Sequence, residues 1–197
     1  MLQFICGQSD RYSQSELAQM AIEGGCVWIQ LRMPQDADAG YLRDTGADLV
    51  AMCRDASAFL IFEDMPEQAR EMGVHGVHIT RGGLARAVET RELLGPEAVV
   101  GVELATLADI DAAQRADIDY VSLPASMEVE RCAELIAAAR AAGLTIPVVA
   151  TGDIYPEDVE VLLTAGFSGI AVGKAISESN DPVSATEEFL TLLGRAD

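Results

Sequence analysis

The chain is poor in positive charge. It has one lysine, Lys174, and two histidines, His75 and His78. Thirteen basic residues stand against 32 acidic ones, a formal net charge of −19. A nucleic-acid partner is excluded on this ground, because a phosphate backbone needs Lys and Arg to neutralise it. An anionic membrane surface is excluded for the same reason. Aromatics make up 5% of the chain, although half of it is hydrophobic. The core must therefore be built from Ala, Val, Leu and Ile, a balance suited to α/β proteins with parallel sheets. No apolar run approaches the length of a membrane span, and the start MLQFICGQ lacks the form of a signal peptide. Cys6, Cys26, Cys53 and Cys132 are scattered with no Cys-x-x-Cys pair, so they read as small core residues of a reduced, cytoplasmic protein. No linker or low-complexity segment interrupts the sequence. Its 197 residues suit one well-buried domain spanning 1–197. A homo-oligomer stays open.

Short β-branched runs alternate with longer stretches of helical period. The strands are expected at LQFIC (2–6), CVWIQLR (26–32), AFLIF (58–62), GVHI (76–79), AVVGVEL (98–104), IDYVSL (118–123), IPVVATG (146–152) and GFSGIAVG (166–173). Between them, segments such as GLARAVETRELLG and MEVERCAELIAAARAAG place apolar residues three and four apart, and several end in Gly. Eight consecutive strand–helix units close most economically into a (β/α)8 TIM barrel, here with tight repeats of roughly 25 residues.

In such a barrel the chemistry lies at the C-terminal ends of the strands. The polar residues at those ends are Gln30 and Arg32, Glu63 and Asp64, His78, Thr80 and Arg81, Glu103, Ser122, Thr151 to Asp153, and Gly173 with Lys174. Glu63 and Asp64 are adjacent carboxylates that could hold Mg²⁺ or work as acid and base. In the alternative, Asp64 caps the next helix, since Asp-x-Pro-Glu is a plausible helix start. Arg32 is a substrate-binding candidate or the partner of Asp64 in a buried ion pair. Gly152, Gly173 and Lys174 could cradle a phosphate after strands 7 and 8, where glycines let backbone N–H groups approach an anion; Asp153 would repel it. His75 and His78 lie three apart on one expected strand, so they point to opposite faces and cannot share a metal. His75 is assigned to the helix layer. His78 is assigned to the interior, as a pocket residue or a hydrogen-bonded structural one. Trp28 is assigned to the core.

The segments VWIQLRM, FEDMPEQAREMGVHGVHI, VETRELLG, DYVSLP, IPVVATGDI and GFSGIAVGKAI follow one another in a recognisable order and spacing. In them the chain resembles the thiamine-phosphate synthases and their thiazole-tautomerase relatives over essentially its whole length. The resemblance implies a transferase of thiamine biosynthesis. Such an enzyme joins hydroxymethylpyrimidine diphosphate to thiazole phosphate through a pyrimidine cation, with Mg²⁺ and cationic side chains stabilising the departing diphosphate. It further implies substrate contacts from Gln30, Arg32, Glu63, His78, Arg81 and Glu103, with Arg32 and Asp64 catalytic and Asp64 the retained Mg²⁺ ligand.

The family pattern is also altered here. Pro34 replaces a lysine, and Glu63 replaces an asparagine. His78-Ile-Thr80-Arg81-Gly-Gly83 stands in place of His-x-Gly-Gln-x-Asp, which removes the second Mg²⁺ aspartate. Glu103 replaces a serine. The Thr-x-Thr-Lys loop after strand 6 is missing, Asp153 replaces the second phosphate glycine, and Lys174 replaces a small residue. Arg81 and the lost aspartate offset the changes at 34 and 63, and Lys174 offsets the lost loop lysine. Glu103 and Asp153 then leave the mouth more acidic. The tautomerase branch expects a histidine near the end of strand 5, where this chain has Glu103. The alternative to an active synthase is a catalytically inactive or repurposed paralogue that binds a small phosphorylated heterocycle or serves as a partner subunit.

Overall fold

The computed structural model of the protein describes residues 1–34, 37–124 and 126–194. Eight parallel strands form a closed barrel in sequence order. They are β1 (Leu2–Cys6), β2 (Trp28–Leu31), β3 (Phe59–Glu63), β4 (Gly76–Ile79), β5 (Val99–Glu103), β6 (Tyr120–Leu123), β7 (Val148–Gly152) and β8 (Gly169–Val172). Nine helices lie between and after them among the described residues. They are α1 (Gln14–Glu23), α2 (Ala39–Asp55), α3 (Pro66–Met72), α4 (Gly83–Leu94), α5 (Leu107–Arg115), α6 (Val129–Ala141), α7 (Val159–Thr164), α8 (Lys174–Ser177) and α9 (Pro182–Gly194). The expected barrel is therefore present. Arg195, Ala196 and Asp197 lie outside the described residues, as does Ala125 in the segment after β6.

Strand alternation sorts the residues into two cores. Phe4, Ile29, Leu31, Leu60, Phe62, Val77, Val100, Val102, Val121 and Ile170 point outward and pack with the buried faces of the helices. Ile5, Ile61, Tyr120, Val149 and Ala171 point inward and form a smaller cluster with Trp28 and Val99. Burying the outward set removes its apolar side-chain surface from water, at about 25 cal/mol per Å². All four cysteines are free and buried.

β1 and β4 keep their expected bounds and β3 is shifted by one residue, while β2, β5, β6, β7 and β8 are shorter than expected. Cys26 and Val27 do not extend β2: the Cys26 N–H returns to the carbonyl of Ala21, and Val27 is exposed. His75 precedes β4 instead of belonging to it. It is exposed, its Nδ1 accepts from the Leu60 N–H at 3.0 Å, and its ring packs against Phe59 at 5.0 Å. Its expected place against the helix layer is thus corrected, because regular alternation does not reach back to residue 75.

Candidate active site

Register decides which polar side chains meet. Glu63 pairs with His78, His78 with Gly101, and Glu103 with Ser122. A hydrogen-bonded chain rises through the barrel from this floor. Gln3 Nε2 donates to Gln30 Oε1 at 2.8 Å and to the Tyr120 hydroxyl at 3.3 Å. Gln30 Nε2 donates to Glu63 Oε2 at 2.5 Å. Arg32 Nε lies 2.8 Å from both Glu63 carboxylate oxygens. A carboxylate this deep is tolerated because a guanidinium and an amide satisfy its oxygens. Arg32 thus pairs with Glu63 and not with Asp64, which corrects the ion pair expected from sequence. Alternation along β3 aims Glu63 inward, and Asp64 leaves the strand.

Asp64 leaves it in the left-handed region, at φ 56°, where a non-glycine residue is uncommon and Asp is among the better tolerated. The turn directs its carboxylate at the loop after β4. Oδ1 accepts from the backbone N–H of Thr80 at 2.9 Å and of Arg81 at 3.2 Å. Oδ2 accepts from the Thr80 hydroxyl at 2.5 Å and lies 3.3 Å from Arg81 Nε. The expected helix cap is not formed: Met65 is the N-cap of α3 and makes no side-chain cap bond. The Asp64 carbonyl accepts from Arg86 Nη2 at 3.3 Å, which draws α4 onto the same loop.

His78 lies beneath the mouth. Its Nε2 is 3.1 Å from Ser122 Oγ, and its ring stacks on Tyr120 at 5.3 Å and 13°. Burial pushes its pKa down to about 4, against a smaller opposing pull from Asp64. Its Nδ1, also buried, has no hydrogen-bond partner among the described residues. Glu103, at the end of β5, holds its proton more tightly than an ordinary glutamate. Burial is the main cause, and the charge of Glu63 adds to it.

Of the sequence-derived site residues, Arg32, Glu63, Asp64 and Arg81 line one cavity and Gly152 another, while Gln30, His78, Glu103, Gly173 and Lys174 line neither. A cleft of about 1120 Å³ is lined by Arg32, Glu63, Asp64, Thr80, Arg81 and Arg86, among others. A smaller one of about 220 Å³, between the ends of β6 and β7, includes Thr151, Gly152 and Asp153. Gly152 sits at φ 134° and is in register with Val172, so the loops carrying Gly152 and Gly173 are neighbours. Lys174 Nζ lies 3.5 Å from Asp153 Oδ1, and both are well exposed. Among the described residues no group of three or more His, Cys, Asp and Glu side chains could hold a metal. Sequence reading missed Gln3, Tyr120 and Arg86. Gln3 carried a signal, a polar residue in an otherwise apolar strand. Arg86 carried none, since it looks like any exposed arginine on a helix.

A model of the thiamine monophosphate synthase family matches residues 2–176. The chain belongs to that family. It is 34% identical over 203 residues to the thiamine-phosphate synthase of Bacteroides fragilis, covering 97% of this chain and 98% of that protein. It is 32% identical over 197 residues to the thiamine-phosphate synthase of Laribacter hongkongensis, covering 96% and 91%. Among solved structures, thiamine phosphate pyrophosphorylase from Pyrococcus furiosus superposes with a TM-score of 0.86 at 23% identity, covering 99% of this chain and 96% of that one. That likeness shows the shared fold. An orotidine 5'-phosphate decarboxylase from Pyrococcus horikoshii gives a TM-score of 0.71 at 15% identity, so the barrel alone does not assign an activity. Membership in the thiamine monophosphate synthase family rests on sequence along nearly the whole chain.

Proposed function

We propose that the protein works in thiamine biosynthesis by joining hydroxymethylpyrimidine diphosphate to thiazole phosphate at the barrel mouth. The observation that carries this reading is the family's Gln-x-Arg pair. Gln30 and Arg32 survive in a chain with full-length likeness to thiamine-phosphate synthases, and both are fixed by a built network. Fixed groups cost no reorganisation when charge develops in the transition state. Departure of diphosphate separates an anion from a pyrimidine cation. The mouth offers groups of both signs to that pair: Glu63 with Arg32, and Glu103, at the strand ends, and Arg81 and Arg86 with Asp64 beside β4. Gly152 and Gly173 are the proposed seat of the thiazole phosphate, where adjoining loops bring backbone N–H groups together. Lys174 is its charge partner, once released from Asp153. A charged substrate of this kind and four reduced thiols suit the cytoplasm.

One observation favours a second reading, a paralogue that binds the phosphorylated heterocycles without joining them. From Pro124 the chain reaches α6 with no Thr-x-Thr-Lys segment. Several missing charge-assisted contacts would cost orders of magnitude in rate. Incubating the protein with both precursors and measuring thiamine phosphate separates the two. Product above the uncatalysed background supports the synthase. Calorimetric binding of thiazole phosphate with no product at high protein concentration supports the paralogue, and neither product nor binding removes both.

A further inference from the structure

The metal that the family resemblance implies does not fit the residues of this chain. A divalent cation of that size needs oxygen atoms with free lone pairs. Asp64, the one retained ligand, has both oxygens engaged by Thr80 and Arg81, each oxygen by two partners. Glu63 is closed off by Arg32 and Gln30. The position of the second aspartate is Gly83, at φ 60°, with nothing within 4 Å of where a side chain would begin.

Resting on the proposed thiamine-pathway reading, we infer that the Arg81 guanidinium takes the place of the divalent cation, so that this protein binds the diphosphate of its substrate without metal. Three observations support the assignment. The first is charge. Two carboxylates facing a dication sum to zero, and one carboxylate facing one guanidinium also sums to zero. At the loop after β4, the loss of one aspartate and the gain of Arg81 therefore supply the two positive charges that the dication would have brought, while the changes at 34 and 63 leave the rest of the mouth more acidic by two. The second is geometry. Asp64 grips the backbone of Thr80 and Arg81 before Gly82 and Gly83 turn the chain at φ 90° and 60° into α4. That grip holds Arg81 over the cleft while leaving most of its side chain exposed. The third is convergence. In a chain with only 13 cationic side chains, Arg32, Arg81 and Arg86 line one cleft. A guanidinium also presents N–H donors in a fork that matches phosphate oxygens, which a point charge does not.

The test is a calorimetric titration of inorganic pyrophosphate into the full chain, once with excess EDTA and once with saturating Mg²⁺. Binding is expected in EDTA, with no strengthening by Mg²⁺. Arg81→Ala is expected to weaken it by about ten-fold or more, the usual loss for one charge-assisted contact. Arg115→Ala, which removes a positive charge from the outer surface, is expected to leave it unchanged. Binding seen only with Mg²⁺, an unaffected Arg81→Ala variant, or no binding in either buffer would overturn the inference. The precursor assay keeps the two ideas apart. Product formed only with Mg²⁺ sinks the inference and leaves the proposed reaction standing. Arg81-dependent pyrophosphate binding in EDTA without product does the reverse.

Discussion

Gly101 has no side chain because two rings fill the place where one would start. A Cβ there would overlap the Tyr120 ring and come within 2.6 Å of His78 Nδ1. Gly101→Ala must separate a stacked pair inside a closed barrel that has little room to relax. We expect a loss of about 3 kcal/mol, the upper range for overpacking, and a fall in Tm of roughly 6–12 °C; an unchanged Tm would mean the stack is not held as described. His78, in the same stack, is charged less readily than in an unfolded chain. Falling pH therefore protonates the unfolded chain first, near 6.5, and the folded protein only near 4. Stability is lost across that window and the loss stops below it. His78→Gln removes this component. The stability gap between the two proteins should narrow by on the order of 3 kcal/mol between pH 7 and pH 4, as read from denaturant unfolding at each pH. A gap independent of pH would show that His78 titrates normally. The candidate residues themselves were legible, since Gln30, Arg32, His78 and Glu103 interrupt apolar strands at inward positions. Their partners were not. Glu63 and Asp64 are consecutive, and only the end of β3 decides which of them faces Arg32.

At the scale of elements, the eight strands and their order were readable from alternating patterns, while the limits of all but β1 and β4 were not. A strand in a barrel ends where its neighbour stops pairing, and that depends on both. β7 starts at Val148 because Pro147 has no N–H to give a ladder. The β4–α4 loop was the least legible element of the site. Its shape depends on two left-handed glycines and on an aspartate from the preceding unit. This dependence can be measured. Asp64→Asn keeps a side chain that tolerates φ 56° but puts a donor where an acceptor was needed and removes the charge facing Arg81. Loss of charge-assisted bonds worth about 1.5–3 kcal/mol should speed amide exchange at Thr80 and Arg81 by about ten-fold or more. Val77, inside β4, should exchange as before. Equal protection at Thr80 and Arg81 in both proteins would show that the loop is held by something else.

For the whole molecule, the excess of acid is the dominant electrostatic fact. Thirteen cations against 32 carboxylates leave 19 of the latter without a counter-charge even if every cation is paired. Arg32, Arg81, Arg91, Arg115, Arg131 and Lys174 are already committed to ion pairs. Two opposing effects of salt follow. Screening weakens these pairs, but exposed pairs contribute only about 0–1 kcal/mol each. Screening also relieves repulsion among the surplus carboxylates, which acts over the whole surface and opposes compaction. At about 0.01 M salt the screening length is roughly 30 Å, and near 0.1 M it falls to roughly 10 Å. In the first case most carboxylates on the barrel surface sense one another; in the second only near neighbours do. Relief of repulsion should win, so raising NaCl between these concentrations should raise Tm by a few degrees. The same gain should appear with KCl, since it depends on ionic strength. A Tm that stays flat or falls across this range would mean that the surplus carboxylates are spaced too widely to repel. The −19 charge would then matter for solubility and partner choice alone.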